Sequence, residues 1–179
     1  CAVANMHGLT GKNQLFINNG NATFTDRASE YGLDFSGFST QAAFFDFDRD
    51  DDLDCYLLNQ SEHPNQNLTD TSFRRIPDAY AGDRLYRNDT INGHSKFTDV
   101  SAKSGIYQSK LGYGLGIAVA DFNNDGWDDI YVGNDFHEND YYYLNNGDGT
   151  FSESGAKHFR HYSRYSMGND AADYNNDGQ

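Results

Sequence analysis

The chain has little of what most extended, membrane or nucleic-acid-binding proteins need. Only two of its 179 residues are proline and only two are cysteine. Two cysteines do not make a disulfide framework. Thirteen Lys and Arg face 27 Asp and Glu, a net charge of -14 that disfavours nucleic acid as a partner. No apolar run approaches the roughly 18 residues that a membrane span requires. No signal peptide is visible, and the start at Cys1 rather than Met reads as something other than a native N-terminus. What is abundant is ring: 13 Tyr and 13 Phe, too many for a disordered acidic tail.

The acidic residues are not scattered. "DFDRDDDLD" (46–54), "DFNNDGWDD" (121–129) and the opening of a third cluster, "DYNNDGQ" (173–179), all start with Asp and an aromatic. Each then places Asp or Asn at alternate positions. Asp46, Asp48 and Asp50 align with Asp121, Asn123 and Asp125, and with Asp173, Asn175 and Asp177. Asp54 and Asp129 close the first two clusters at the ninth position.

The flanks repeat as well. "QLFINNGNATFTD", "RLYRNDTINGHSKFTD" and "YYLNNGDGTFSE" each run from apolar and aromatic residues through an Asn/Gly turn to Phe and a polar tail. "CAVANM", "CYLLNQ" and "IYVGND" are a second repeated run, which places Cys1, Cys55 and Ile130 at one equivalent position. That equivalence favours buried strand cysteines over a bridge between them. Self-similarity at this spacing marks a repeat architecture. Each unit reads as four short strands, in the best copy 115–121, 129–134, 141–145 and 150–153. The acidic loop joins the first two, and Asn145 to Gly149 make a turn joining the last two.

The expected fold class is all-β, with four-stranded antiparallel blades of β-propeller type and a Gly/Ala-rich first strand near the central axis. A stacked β-solenoid is the main competitor. Residues 1–41 read as a partial blade, 42–100 as a blade with a long insert at 60–83, 101–155 as a blade, and 156–179 as the start of the next. About three blade equivalents of a larger propeller result. The two ends read as halves of one blade, with the edge at 1–6 expected to pair with a first-type strand from elsewhere.

Hard cations take six to eight oxygens from carboxylates, amide side chains, backbone carbonyls and water. The second loop is expected to use Asp121, Asn123, Asp125 and Asp129 with the carbonyl of Trp127. The first would use Asp46, Asp48, Asp50 and Asp54 with the carbonyl of Asp52. The third offers Asp173, Asn175 and Asp177 and is truncated. Gly126 supplies a sharp turn, and Asp51 stands in its place in the first loop, at some steric cost. Calcium is the expected cofactor. An EF-hand wants Glu at the twelfth loop position, where Val132 stands. Zinc would want a Cys/His cluster. Magnesium would demand stricter octahedral geometry.

These motifs resemble the FG-GAP/VCBS repeat of integrin-α-like β-propellers. "AGDRLYRND" and "DIYVGNDFHENDYYYLNNGDGTFSE" are similar to the secreted branch that often carries an ASPIC/UnbV domain, the wider group of cartilage acidic protein. The resemblance implies calcium in all three loops, a propeller usually of seven blades and an extracellular setting. No ASPIC/UnbV domain is visible in the chain.

The six His (His7, His63, His94, His137, His158 and His161) are scattered, and no nucleophile motif or phosphate-binding loop appears, so catalysis is not expected. The expected role is a calcium-binding extracellular module for adhesion, protein interaction or assembly. Its partner would be a protein or glycan at the cell surface, or further copies through the half-blade ends. The alternatives are a subunit of a self-associating fibre and a glycan-binding lectin-like propeller. The insert, with both prolines and the pair Arg74 and Arg75, is expected to lie outside the blade and serve a partner more than stability. Asn21, Asn59, Asn67 and Asn88 stand in glycosylation sequons.

Overall fold

The computed structural model describes residues 11–61, 70–91 and 93–175. Two four-stranded antiparallel sheets dominate it. The first runs β3 (Ser39–Phe45), β4 (Asp54–Asn59), β5 (Arg84–Ile91) and β6 (His94–Asp99), each strand beside the next. The second repeats that order with β7 (Gly114–Ala120), β8 (Asp129–Asn134), β9 (Tyr141–Asn145) and β10 (Phe151–Glu153). Ahead of them lies a hairpin of β1 (Phe16–Asn18) and β2 (Phe24–Asp26), which correspond in sequence to a third and a fourth strand. The expected all-β, blade-type fold is the one observed. Residues 1–10 lie outside the described region, so the expected pairing of the 1–6 edge does too.

Strand alternation builds the core. Along β4, Tyr56 and Leu58 join one apolar cluster while Cys55 and Leu57 join another. The first cluster lies between the two sheets. It joins Phe45, Phe47, Tyr56, Leu58 and Leu85 to Ile117, Ile130, Val132, Tyr143 and Phe151. The second packs Cys55, Leu57, Tyr86 and Phe97 with Leu15, Leu33 and Phe35 from the preceding unit. Each sheet thus has one face for the unit before it and one for the unit after, as a side-chain period of two requires. Cys55 is a free, buried thiol.

The first strands of the sheets are neighbours. The Thr40 hydroxyl donates to the Gly114 carbonyl (2.8 Å), and the Ile117 amide donates to Gln41 Oε1 (3.2 Å). A side chain at Gly114 would put its Cβ 2.3 Å from Leu58 Cδ1, so the close approach demands glycine. After each fourth strand the chain makes one turn of helix: α1 (Ala28–Tyr31), α2 (Ser101–Ser104) and α3 (Gly155–His158). These four-residue turns are too short to show helical periodicity in sequence.

The described part of the insert departs from expectation. Residues 70–83 pack onto the second sheet and its connector. Arg74 Nε donates to the buried Glu138 carboxylate (2.6 Å), and the Arg75 guanidinium lies 5.9 Å from the Tyr107 ring centroid. The Asp78 amide donates to the Gln108 carbonyl (2.7 Å). The basic pair therefore faces the neighbouring unit, and this half of the insert is structural. The sequons divide too. Asn59 and Asn88 are buried, their Nδ2 atoms donating to the carbonyls of Gly82 (2.8 Å) and Leu53 (3.3 Å), while Asn21 is exposed. A glycan on Asn59 or Asn88 would have to break those bonds.

Candidate metal centre

Two acidic loops, residues 46–53 between β3 and β4 and 121–128 between β7 and β8, share one backbone path. Positive φ recurs at the fourth and sixth positions: Arg49 (62°) and Asp51 (68°) in the first, Asn124 (58°) and Gly126 (90°) in the second. This winding turns backbone N–H groups inward onto the leading aspartate. Asp46 accepts from the amides of Asp50 and Asp51, both at 3.1 Å. Asp121 accepts from those of Asp125 (3.1 Å) and Gly126 (2.6 Å). The third aspartate is held likewise: Asp50 accepts from the Asp52 amide (3.1 Å), and Asp125 from that of Trp127 (2.9 Å).

In the first loop, carboxylate oxygens of Asp46, Asp48 and Asp50 all lie within 4.8 Å of one another. Like charges that close repel by about 3 kcal/mol per pair at an effective dielectric near 20. Asp48 Oδ1 and Asp52 Oδ1 are buried without a hydrogen-bond partner. Burial raises the pKa of both groups above the usual carboxylate value, and the Asp50 carboxylate adds to the shift at Asp48. Asp52 Oδ2 accepts from the Thr90 hydroxyl (3.1 Å). Three clustered carboxylates, an unpartnered oxygen on one of them and another on Asp52 of the same loop, with no His or Cys among the donors, fit a hard divalent cation. In the second loop Asn123 takes the place of Asp48. Its Oδ1 accepts from the Asp125 amide and its Nδ2 donates to Asp125 Oδ2, both at 2.9 Å.

The ninth-position aspartates are held differently, though each still feels the charge of its own loop. Asp54 and Asp129 are fully buried, and Asp54 is not in the 4.8 Å group. Asp54 accepts from the amides of Phe47 (3.0 Å) and Asn88 (2.8 Å); Asp129 accepts from those of Phe122 (3.1 Å) and Asn145 (2.8 Å). Each thereby staples the start of its loop to the third strand of its sheet. Burial pushes Asp54 up to about 7 despite those two bonds, and raises Asp129 as well. Trp127 is half-buried in the second loop beside Gly147. Of the third loop, Asp173 and Asn175 are described and Asp177 lies outside. Asp173 lines a cleft with Asp121, Phe122 and Asp170, so the third loop begins beside the second.

A second aspartate per sheet escaped the sequence reading. Asp83 accepts from the Tyr56 hydroxyl (2.7 Å) and the Asn59 amide (2.9 Å). Asp140 accepts from the Tyr131 hydroxyl (2.7 Å) and the Asn134 amide (2.8 Å). The signal was present: "GDRLYRND" and "NDYYYLNN" both place Asp one residue before the third strand. Burial pushes Asp83 up to about 7. The segment after α3 adds to this site in the second sheet. The Ser166 hydroxyl donates to Asp140 (3.1 Å) and Asn169 Nδ2 to the Tyr131 carbonyl (3.0 Å).

No helix among the described residues is long and apolar enough to cross a membrane. Comparison with curated proteins gives no match. The model of the FG-GAP-like repeat matches residues 2–57 and 121–179, spans that take in all three acidic clusters and both complete loops. With four-stranded antiparallel sheets repeated around those loops, the chain belongs to the FG-GAP-like repeat family, whose repeats form integrin-like β-propeller modules.

Proposed function

We propose that this chain is a calcium-binding extracellular repeat module that serves adhesion, protein interaction or assembly, and that it is not an enzyme. The observation that carries the calcium reading is the first loop. Three carboxylates share 4.8 Å of space, and two buried oxygens have no partner. In the second loop Asp121, Asn123 and Asp125 would hold the ion, with the Trp127 carbonyl as a further oxygen. Asp54 and Asp129 would hold the loop ends and add an oxygen only alongside their amide bonds. The ion supplies a counter-charge and cross-links two strands of each sheet. Melting in millimolar calcium and in EGTA tests the reading. Calcium should raise the melting temperature by several degrees, and Asp125→Ala should shrink the difference. Identical melts would overturn it.

A second reading is self-association. Phe16 and Phe24 of the β1–β2 hairpin are 47% and 60% exposed. Their counterparts Tyr86 and Phe97, and Tyr143 and Phe151, are buried against a preceding unit. A sheet from another copy could cover them, and filaments in electron micrographs would favour this fibre reading. The lectin-like reading draws on the cleft lined by Tyr131, Tyr142, His158, Phe159 and Asp170. Glycan-array binding by the monomer would favour it.

A further inference from the structure

Arg49 sits inside the first acidic loop, between Asp48 and Asp50, with φ 62°. An L side chain accepts that conformation only when its surroundings hold it there. No ion pair joins Arg49 to a carboxylate among the described residues. Its guanidinium instead reaches the second loop and lies over the Trp127 ring, 4.6 Å from the centroid. Its Nη2 also comes to 3.0 Å from where a Cβ on Gly126 would stand. Past the ring lies Gly147, whose Cβ would be 3.0 Å from Trp127 Cε2. The Trp127 amide holds Asp125 Oδ1, so the ring and a candidate calcium ligand move together. A second tie runs alongside: Asn145 Nδ2 donates to the Phe47 carbonyl (2.9 Å) in the first loop and to the Asp128 carbonyl (3.2 Å) in the second.

We propose that Arg49 and Trp127 couple the two loops, so that calcium in the first loop tightens calcium binding in the second. The inference rests on the calcium reading. In the ion-free first loop, Asp46, Asp48 and Asp50 crowd one another; the cation that bears on Asp48 is Arg87 of β5, because the Arg49 guanidinium lies over Trp127, near Asp128 of the second loop. A divalent ion takes over as their counter-charge. It fixes the loop winding that holds Arg49 at positive φ and leaves the guanidinium on Trp127. Trp127 is then clamped, and with it Asp125. The guanidinium also repels an ion in the second loop. Arg49 is exposed, so that repulsion is screened by water and salt, and the ordering of Trp127 and Asp125 decides the sign. Linkage is reciprocal: an ion in the second loop tightens the first by the same factor. Arg49 is a positioning residue on this account and ligates nothing.

The chain has one tryptophan, and it stands in the second loop, so its fluorescence reports that loop directly. Calcium titrations would follow Trp127 fluorescence and, by calorimetry, heat and stoichiometry. Four proteins are compared: wild type, Asp48→Ala, Arg49→Ala and the double variant. Asp48→Ala removes an oxygen ligand of the first loop only, whereas Asn at that position would copy Asn123 of the second. Asp48→Ala should move the fluorescence midpoint to at least about fivefold higher calcium, the low end of measured couplings. In the Arg49→Ala background the same change should move the midpoint by less than about twofold. Arg49→Lys keeps the charge and loses the flat stack, so it should resemble Ala; it also replaces Ala if that variant does not fold. A midpoint indifferent to Asp48→Ala, with calcium still bound, overturns the coupling alone. An equal shift with and without Arg49 overturns the route through Arg49. No heat and no fluorescence change overturns the calcium reading and the coupling with it.

Discussion

Arg49 and Asp51 stand at φ 62° and 68° in the first acidic loop, Asn124 and Gly126 at 58° and 90° in the second. The path is one; the chemistry along it is two. The second loop meets its left-handed positions with Asn and Gly, the residues that tolerate them best. Asn123 then ties its own carboxylate neighbour with an N–H donor and an oxygen acceptor. The first loop puts Arg and Asp at those positions and Asp48 where Asn123 would be, and leaves two buried oxygens unpartnered. Both loops bond their leading and third aspartates to their own amides, but the second adds the Asn123 pair, whereas the first leaves oxygens that a cation would meet on the proposed reading. Equivalent repeats in one chain can therefore divide the work. On the calcium reading, one would be held mainly by its own bonds, and the other would gain more from the ion.

The largest expected effect bears on what the loops share. Asp54→Ala or Asp129→Ala leaves two buried backbone amides without an acceptor, a loss of about 3 kcal/mol or more. Denaturant melts should show that loss in EGTA as well as in calcium, since the amide bonds do not need the ion. A loss seen only with calcium would mean that these aspartates act chiefly as ligands.

Calcium removal comes next. An ion that binds only the native state adds about 2.7 kcal/mol at a hundredfold excess over its dissociation constant. Hydrogen exchange in EGTA should locate the loss at residues 46–53 more than at 121–128. Equal deprotection would erase the distinction between the loops.

A smaller effect sharpens it. Asp51→Gly gives the first loop the second loop's turn residue, relieving left-handed strain and removing one negative charge. The gain should be about 0.5–1 kcal/mol, larger in EGTA than in calcium. Gly126→Ala should lose about 1 kcal/mol by the same argument in reverse.

The smallest is a pH dependence away from the loops. Burial holds Asp83 at about 7, above the ordinary carboxylate value that the unfolded chain restores. The native state then binds the extra proton, so this group's contribution is full below about pH 4 and is lost as pH rises to about 7. In EGTA, the melting temperature of wild type should fall over that interval relative to Asp83→Asn. Parallel curves would show that Asp83 is ionised in the fold.

Much of this was legible in sequence because repetition multiplies weak local signals. Strands β8 and β9 fall at 129–134 and 141–145 as expected, and β7 and β10 differ from expectation by single residues. The alternating Asp and Asn of the loops also stood out, since three copies align. What did not repeat was hidden. Arg49 occurs once, and its partner Trp127 lies 78 positions on, so only the packing of two sheets joins them. Residues 70–83 looked like a partner-binding insert because their polarity shows nothing of Glu138 or Gln108, which pair with them. The ninth-position aspartates read as plain ligands, because a carboxylate that accepts two amides looks in sequence like one that binds metal.

Calcium uptake by chelator-stripped protein tests the central claim most directly. Calorimetry should count at least two ions per chain, one lost in Asp48→Ala/Asp50→Ala and another in Asp121→Ala/Asp125→Ala. No uptake by the folded wild-type chain, or uptake that survives both pairs of substitutions, would contradict the assignment of these loops to calcium.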